Sequence, residues 1–142
     1  YERRYYSYGG EKTVKKNYKY TLNDTGLRNA LVKATSLNST ELGFAAEAVC
    51  MQHLNAIAMQ NNYSLYYWKN DKEIDFVLQT PDELIPIEVK YANEVTAQDA
   101  QALREFKQRH NCKQALIVTK NTQKTIDGIT HVPLHEFLKK EY

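Results

Sequence analysis

The chain has 142 residues, of which 42% are hydrophobic, 25% charged and 11% aromatic, with only five glycines and three prolines. These values fit one compact domain with a sizeable core and exclude a collagenous, linker-like or wholly disordered chain. Nineteen basic and 17 acidic residues leave a net charge of +2, a near-neutral sum that hides an uneven spread.

Residues 1 to 20 hold six of the 11 tyrosines, and Arg3, Arg4, Lys12, Lys15, Lys16 and Lys19 outweigh Glu2 and Glu11, a local net of +4 that leaves −2 on the rest. Tyr, basic and small residues alternate around Gly9-Gly10, which predicts a β-hairpin over residues 1 to 22. A short helical stretch, LRNALVKA, follows. The polar break from Ser36 to Thr40 then predicts the start of a helix running from about Glu41 to Gln60. Leu42, Ala46, Val49, Cys50, Leu54 and Ile57 recur at three and four in it, so one face packs inward.

Three strands are expected next, over 64–68, 73–79 and 84–91, joined by the turn segments KND and TPDE into an antiparallel meander. Thr96 with Asp99 has the spacing of a capping box opening a helix from Ala97 to about His110. The apolar run QALIVTK predicts a strand buried on both faces and paired in parallel, with the preceding helix as crossover. A short strand near 129–132 and a helix begun by Pro133 finish the order. The fold class is therefore α/β, a mixed sheet flanked by helices with the order αβββαβ at its centre and a β-hairpin before it.

No apolar run approaches the roughly 20 residues of a membrane span, and no secretory hydrophobic stretch is present, so a cytoplasmic setting is expected. Cys50 and Cys112 are too few for a disulfide framework and lack zinc-site spacing, as do the four histidines. The start at Tyr1 rather than Met is what a piece of a longer protein would show.

Chemistry concentrates on two of the meander strands. In LIPIEVKY, period-2 alternation puts Glu88 and Lys90 on one face and Ile85, Ile87 and Val89 on the other. In EIDFVLQ it sets Ile74, Phe76 and Leu78 against Glu73, Asp75 and Val77, so a tight turn brings Asp75 toward Glu88. Two carboxylates and an ammonium at the middle of a sheet are costly to bury unless they pair or hold a metal, for which Mg²⁺ is the natural oxygen-seeking ion. The structural alternative is a solvated, salt-bridged strand face.

IDF at 74–76, EVK at 88–90 and, on the upstream helix, GFAAEAV with Glu47 one turn after Gly43 resemble the PD-(D/E)XK nuclease core, with Ile74 where the family name has Pro. Over roughly residues 18 to 120, KYTLNDTGLRNAL, ELGFAAEAV, YYWKNDKEIDFVL and IPIEVK are similar in order and spacing to the C-terminal domain of unknown function of many prokaryotic AAA+ ATP-binding proteins. That resemblance implies a restriction-endonuclease-like domain over 37–142. It makes residues 1–36 the wing and short helix of an upstream winged-helix-like segment. ATP would belong to an upstream module, since no Walker A loop occurs here.

The implied catalytic set is Glu47, Asp75, Glu88 and Lys90. Asp75, Glu88 and the Val89 carbonyl would ligate Mg²⁺, with Glu47 acting directly or through water, and Lys90 would act on the attacking water. The implied partners are DNA and the linked ATPase module. In the basic hairpin Arg3, Arg4, Lys15 and Lys16 are candidate phosphate contacts, a homo-oligomer is conceivable, and a catalytically silent binding module regulating the ATPase is the alternative.

Overall fold

A computed structural model of the chain describes residues 2–6, 18–22, 24–31, 33 and 38–142, with backbone only for Arg3, Arg4 and Tyr5. In chain order its elements are β1 (Glu2–Tyr5), β2 (Lys19–Tyr20), α1 (Thr25–Leu31), α2 (Ser39–Asn61), β3 (Ser64–Lys69), β4 (Glu73–Gln79), β5 (Leu84–Lys90), α3 (Gln101–His110), β6 (Leu116–Thr119), β7 (Lys124–Ile126), β8 (Ile129–Pro133) and α4 (Leu134–Phe137). The described strands form one mixed eight-stranded sheet in the order β2-β1-β3-β4-β5-β6-β8-β7.

Helix α2 starts where Asn38 leaves the extended region and its side chain accepts the Glu41 amide at 2.9 Å, satisfying one of the unpaired donors of the first turn. It stops at Asn62, whose φ of 55° places it in the left-handed region that Asn tolerates. Its buried residues Cys50, Met51, Leu54 and Ala58 pack with Phe76, Leu78, Ile85, Ile87, Leu116, Val118 and Phe137. The opposite face of the sheet carries Trp68, Ile74, Val77 and Ile117 against Leu103 and Phe106 of α3. The sheet is thus covered on both sides, and β6, all four residues buried, has the apolar character that double coverage requires.

The meander β3-β4-β5 is antiparallel throughout, and β5, β6 and β8 run parallel, with α3 lying between β5 and β6 in sequence. Five details differ from the sequence reading. β1 pairs with β2 as a hairpin should, the turn lying outside the described residues, but its other half pairs in parallel with β3, and Tyr6 enters the α3-side core. The Thr96–Asp99 box forms, yet residues 97–100 stay in turns and α3 begins only at Gln101. Strand β7 was not anticipated, although Asp127-Gly128, both at positive φ, is a two-residue hairpin signal. Pro133 ends β8 and caps α4 rather than occupying its first turn.

The fifth difference concerns β4. Tyr66 pairs with Val77 and Trp68 with Ile74, so Asp75 and Phe76 together oppose Tyr67 in a β-bulge. The extra residue breaks the alternation, and Ile74 faces the α3 side with Val77 instead of sharing a face with Phe76 and Leu78.

Phe106 is fully buried, with edge contacts to Tyr6 and Trp68. Phe106→Ala should cost about 3–5 kcal/mol in urea unfolding. A Cβ added at Gly43 would meet nothing within 4 Å, so this glycine does not make room for a close approach at the helix surface. Gly43→Ala should raise stability by about 0.5–1 kcal/mol in the same assay.

Candidate functional site

The ladder between β4 and β5 stops at Phe76 and Ile87. Continued one step in the hydrogen-bonding register, it would give the Val89 amide the carbonyl of Ile74. The bulge removes that partner, and the Val89 amide donates instead to Asp75 Oδ2 at 2.9 Å. A side-chain carboxylate therefore stands in for a backbone acceptor beyond the last ladder pair. In an extended strand the N–H and C=O of one residue point to the same side, so the Val89 carbonyl faces the same gap.

Glu88 and Lys90 project together from β5, as alternation required, into an open cleft of about 450 Å³ that Asp75 also lines. Lys72, Gln98 and Asp99 form part of its rim. Glu88 is 8% exposed. Its Oε1 lies 3.3 Å from Lys90 Nζ, and its Oε2 is buried without a hydrogen-bond partner. Burial and, after it, the neighbouring Asp75 carboxylate push its pKa up to about 8, against the opposing pull of Lys90 and of a hydrogen bond from the Asp75 backbone amide. For Lys90 burial works toward a lower pKa, but Glu88, Asp75 and Asp99 outweigh it and the ammonium is held above its ordinary value.

Asp99 is held below the usual carboxylate range. Burial works the other way, and hydrogen bonds from Thr96 and the charges of Lys90 and Lys72 prevail. Lys90 thus stands between two carboxylates, Glu88 and Asp99, the second at 3.9 Å.

Of the residues expected to act together, Asp75, Glu88, Val89 and Lys90 converge. Glu47 lies on α2, half-buried, in a separate cleft with Lys19 and Arg28. Cys50 links it to the others electrostatically, since burial, Asp75 and Glu47 all push that thiol up. Arg3 and Arg4 are placed on β1 by their backbone, and Lys15 and Lys16 lie outside the described residues. Asp99, Lys72 and Gln98 are not among the site residues that the sequence singles out; Thr96-x-x-Asp99 carries there the signal of a helix cap.

The oxygen donors Asp75, Glu88 and the Val89 carbonyl, with the unpartnered Glu88 Oε2, have the chemistry a divalent ion such as Mg²⁺ takes. Among the described residues, however, no group of three or more His, Cys, Asp or Glu side chains could hold a metal ion. The side chains alone supply two ligands, and backbone and water oxygens would have to supply the others. Both cysteines are free and buried, and no helix among the described residues is long and apolar enough to cross a membrane.

A mixed α/β domain with an acidic-basic cleft where two sheet strands part is the class that fold and site define. The model of the family described as Domain of unknown function (DUF4143) matches residues 42–137, and the chain belongs to that family. No curated protein and no solved structure matches the chain.

The raised pKa of Glu88 has a definite sign in stability. Between pH 4.5 and about 8 the unfolded chain releases this proton while the folded chain keeps it. Stability is therefore lost as pH rises through that window. The stability difference between Glu88→Gln and the wild type should shift in favour of the variant from pH 4.5 to pH 8, by at most about 5 kcal/mol at 1.36 kcal/mol per unit, in urea unfolding at a series of pH values.

Proposed function

We propose that the chain is the nuclease-like C-terminal domain of an AAA+ ATP-binding protein and hydrolyses phosphodiester bonds of DNA with Mg²⁺. The observation that carries this reading is the buried Glu88 carboxylate with one oxygen unpartnered, facing Asp75 and Lys90 where β4 and β5 separate. The order α2-β3-β4-β5-α3-β6, with β5 and β6 parallel, supports a restriction-endonuclease-like assignment for the domain. ATP would bind only in the linked ATPase module, which is proposed as a partner together with DNA in a cytoplasmic setting.

Asp75 and Glu88, with the Val89 carbonyl, would hold the ion, which when bound supplies Lewis-acid polarisation of a phosphoryl oxygen and acidifies a water. Lys90 would orient an attacking water toward phosphorus, and its ammonium would offset charge on the phosphoryl oxygens as the new O–P bond forms and the P–O bond to the leaving group breaks. Asp75 has a second duty, because its hydrogen bond satisfies the Val89 amide beyond the last ladder pair of β4 and β5.

A second reading has its own observation. The absence, among the described residues, of a three-side-chain metal cluster favours a catalytically silent module that binds nucleic acid or the ATPase and regulates it. Cleavage of DNA with Mg²⁺ or Mn²⁺ separates the two. Asp75→Ala and Lys90→Ala should each lower the wild-type rate by about 100-fold or more. Equal background cleavage in all three proteins would overturn the hydrolytic reading and leave the silent module, whose mark is salt-sensitive DNA binding.

A further inference from the structure

The segment between β5 and α3 is tied down at two points, the first of them at the rim of the cleft. Lys72 Nζ, from the turn before β4, donates to the Gln98 carbonyl at 3.1 Å, and Thr122 Oγ1 donates to the Asn93 carbonyl at 2.7 Å. Within the segment, Asp99 uses its two carboxylate oxygens differently. Oδ2 accepts both the amide and the hydroxyl of Thr96, at 2.8 and 2.7 Å. Oδ1 lies 3.9 Å from Lys90 Nζ, which has Glu88 Oε1 at 3.3 Å on its other side. The capping geometry of Thr96 therefore orients the other oxygen of Asp99 toward the site lysine.

An ionised Glu88 cannot neutralise Lys90 and serve a divalent cation with the same charge. Once its carboxylate is engaged by an ion, Lys90 needs another counter-charge in reach, or its ammonium competes with the ion for Glu88. Asp99 is the carboxylate positioned for this. We propose that Asp99 is the positioning residue of Lys90, taking over the ammonium from Glu88 when a divalent cation occupies the cleft. The inference rests on the reading of Asp75 and Glu88 as cation-holding groups, but the contact of Asp99 with Lys90 does not depend on hydrolysis.

Two double-mutant cycles on the full chain test it, each built from the wild type, Asp99→Asn, Lys90→Met and the double variant. Asn keeps an oxygen for Thr96 and removes the charge. In calorimetric titration with Mn²⁺, Asp99→Asn should weaken binding about three- to tenfold when Lys90 is present and by less than twofold in the Lys90→Met background. Asp99→Glu should recover part of the loss. A loss of equal size in both backgrounds, or no loss in either, overturns the proposal, because a purely structural cap would act without regard to residue 90.

If wild type takes up no Mn²⁺, the cation-holding reading fails and the proposed handover falls with it. The second cycle, urea unfolding in EDTA, then judges the remaining claim that Asp99 holds Lys90. A coupling of about two- to fivefold in the unfolding constant is expected for a part-exposed pair, and additive effects overturn that claim as well.

Discussion

One hydrogen bond organises the centre of this protein, the one by which Asp75 accepts the Val89 amide beyond the last paired residues of β4 and β5. A backbone donor at the end of a ladder must find an acceptor or lose about 1–3 kcal/mol. With Ile74 carried away by the bulge, the acceptor is a charged side chain. The strands part at that point, and the cleft opens where the sheet would otherwise continue. The same bond fixes the Asp75 carboxylate near Glu88, where after burial it adds to the cost of ionising Glu88.

Such an arrangement opposes stability locally, since a buried carboxylate beside a second one is disfavoured. The surroundings carry it. Cys50, Met51 and Leu54 of α2 press on one face of the sheet and Leu103 and Phe106 of α3 on the other, all at most 1% exposed. Close packing on both faces holds β4 and β5 in place around the two carboxylates. The cleft is consequently a property of the sheet interior, displayed at the carboxyl end of β5, with the 91–100 segment and the 70–72 turn as its rim. That rim adds Asp99 and Lys72 to the Glu73, Asp75, Glu88 and Lys90 side chains of the cleft, with Lys90 within reach of both Glu88 and Asp99 and the Lys72 charge acting on Asp99.

Much of this was legible from residue order. Period-2 alternation in LIPIEVKY put Glu88 and Lys90 on one face, and the apolar run at Leu116–Thr119 announced a strand covered on both sides; both hold. Alternation failed at Ile74, because one residue too many in β4 relative to β3 shows only when the two strands are paired. Glu47 met its expected place on α2 but opens on another cleft, since helical spacing sets a residue's angle about its own axis and not what that face meets. Asp99 was visible only as a cap, because a local motif explains its Oδ2 fully and says nothing of where Oδ1 points.

The sequence by itself determined the elements, their order and the strand that carries Glu88 and Lys90, because periodicity, turn residues and caps act within a few residues of chain. Tertiary structure alone decided that β1 joins β3, that β4 bulges at Asp75, and that the β5–α3 segment turns Asp99 onto Lys90. These features come from pairing and packing between segments far apart in sequence, where the register of one strand against another, and the competition of backbone donors for acceptors, choose among conformations that local propensity leaves equal.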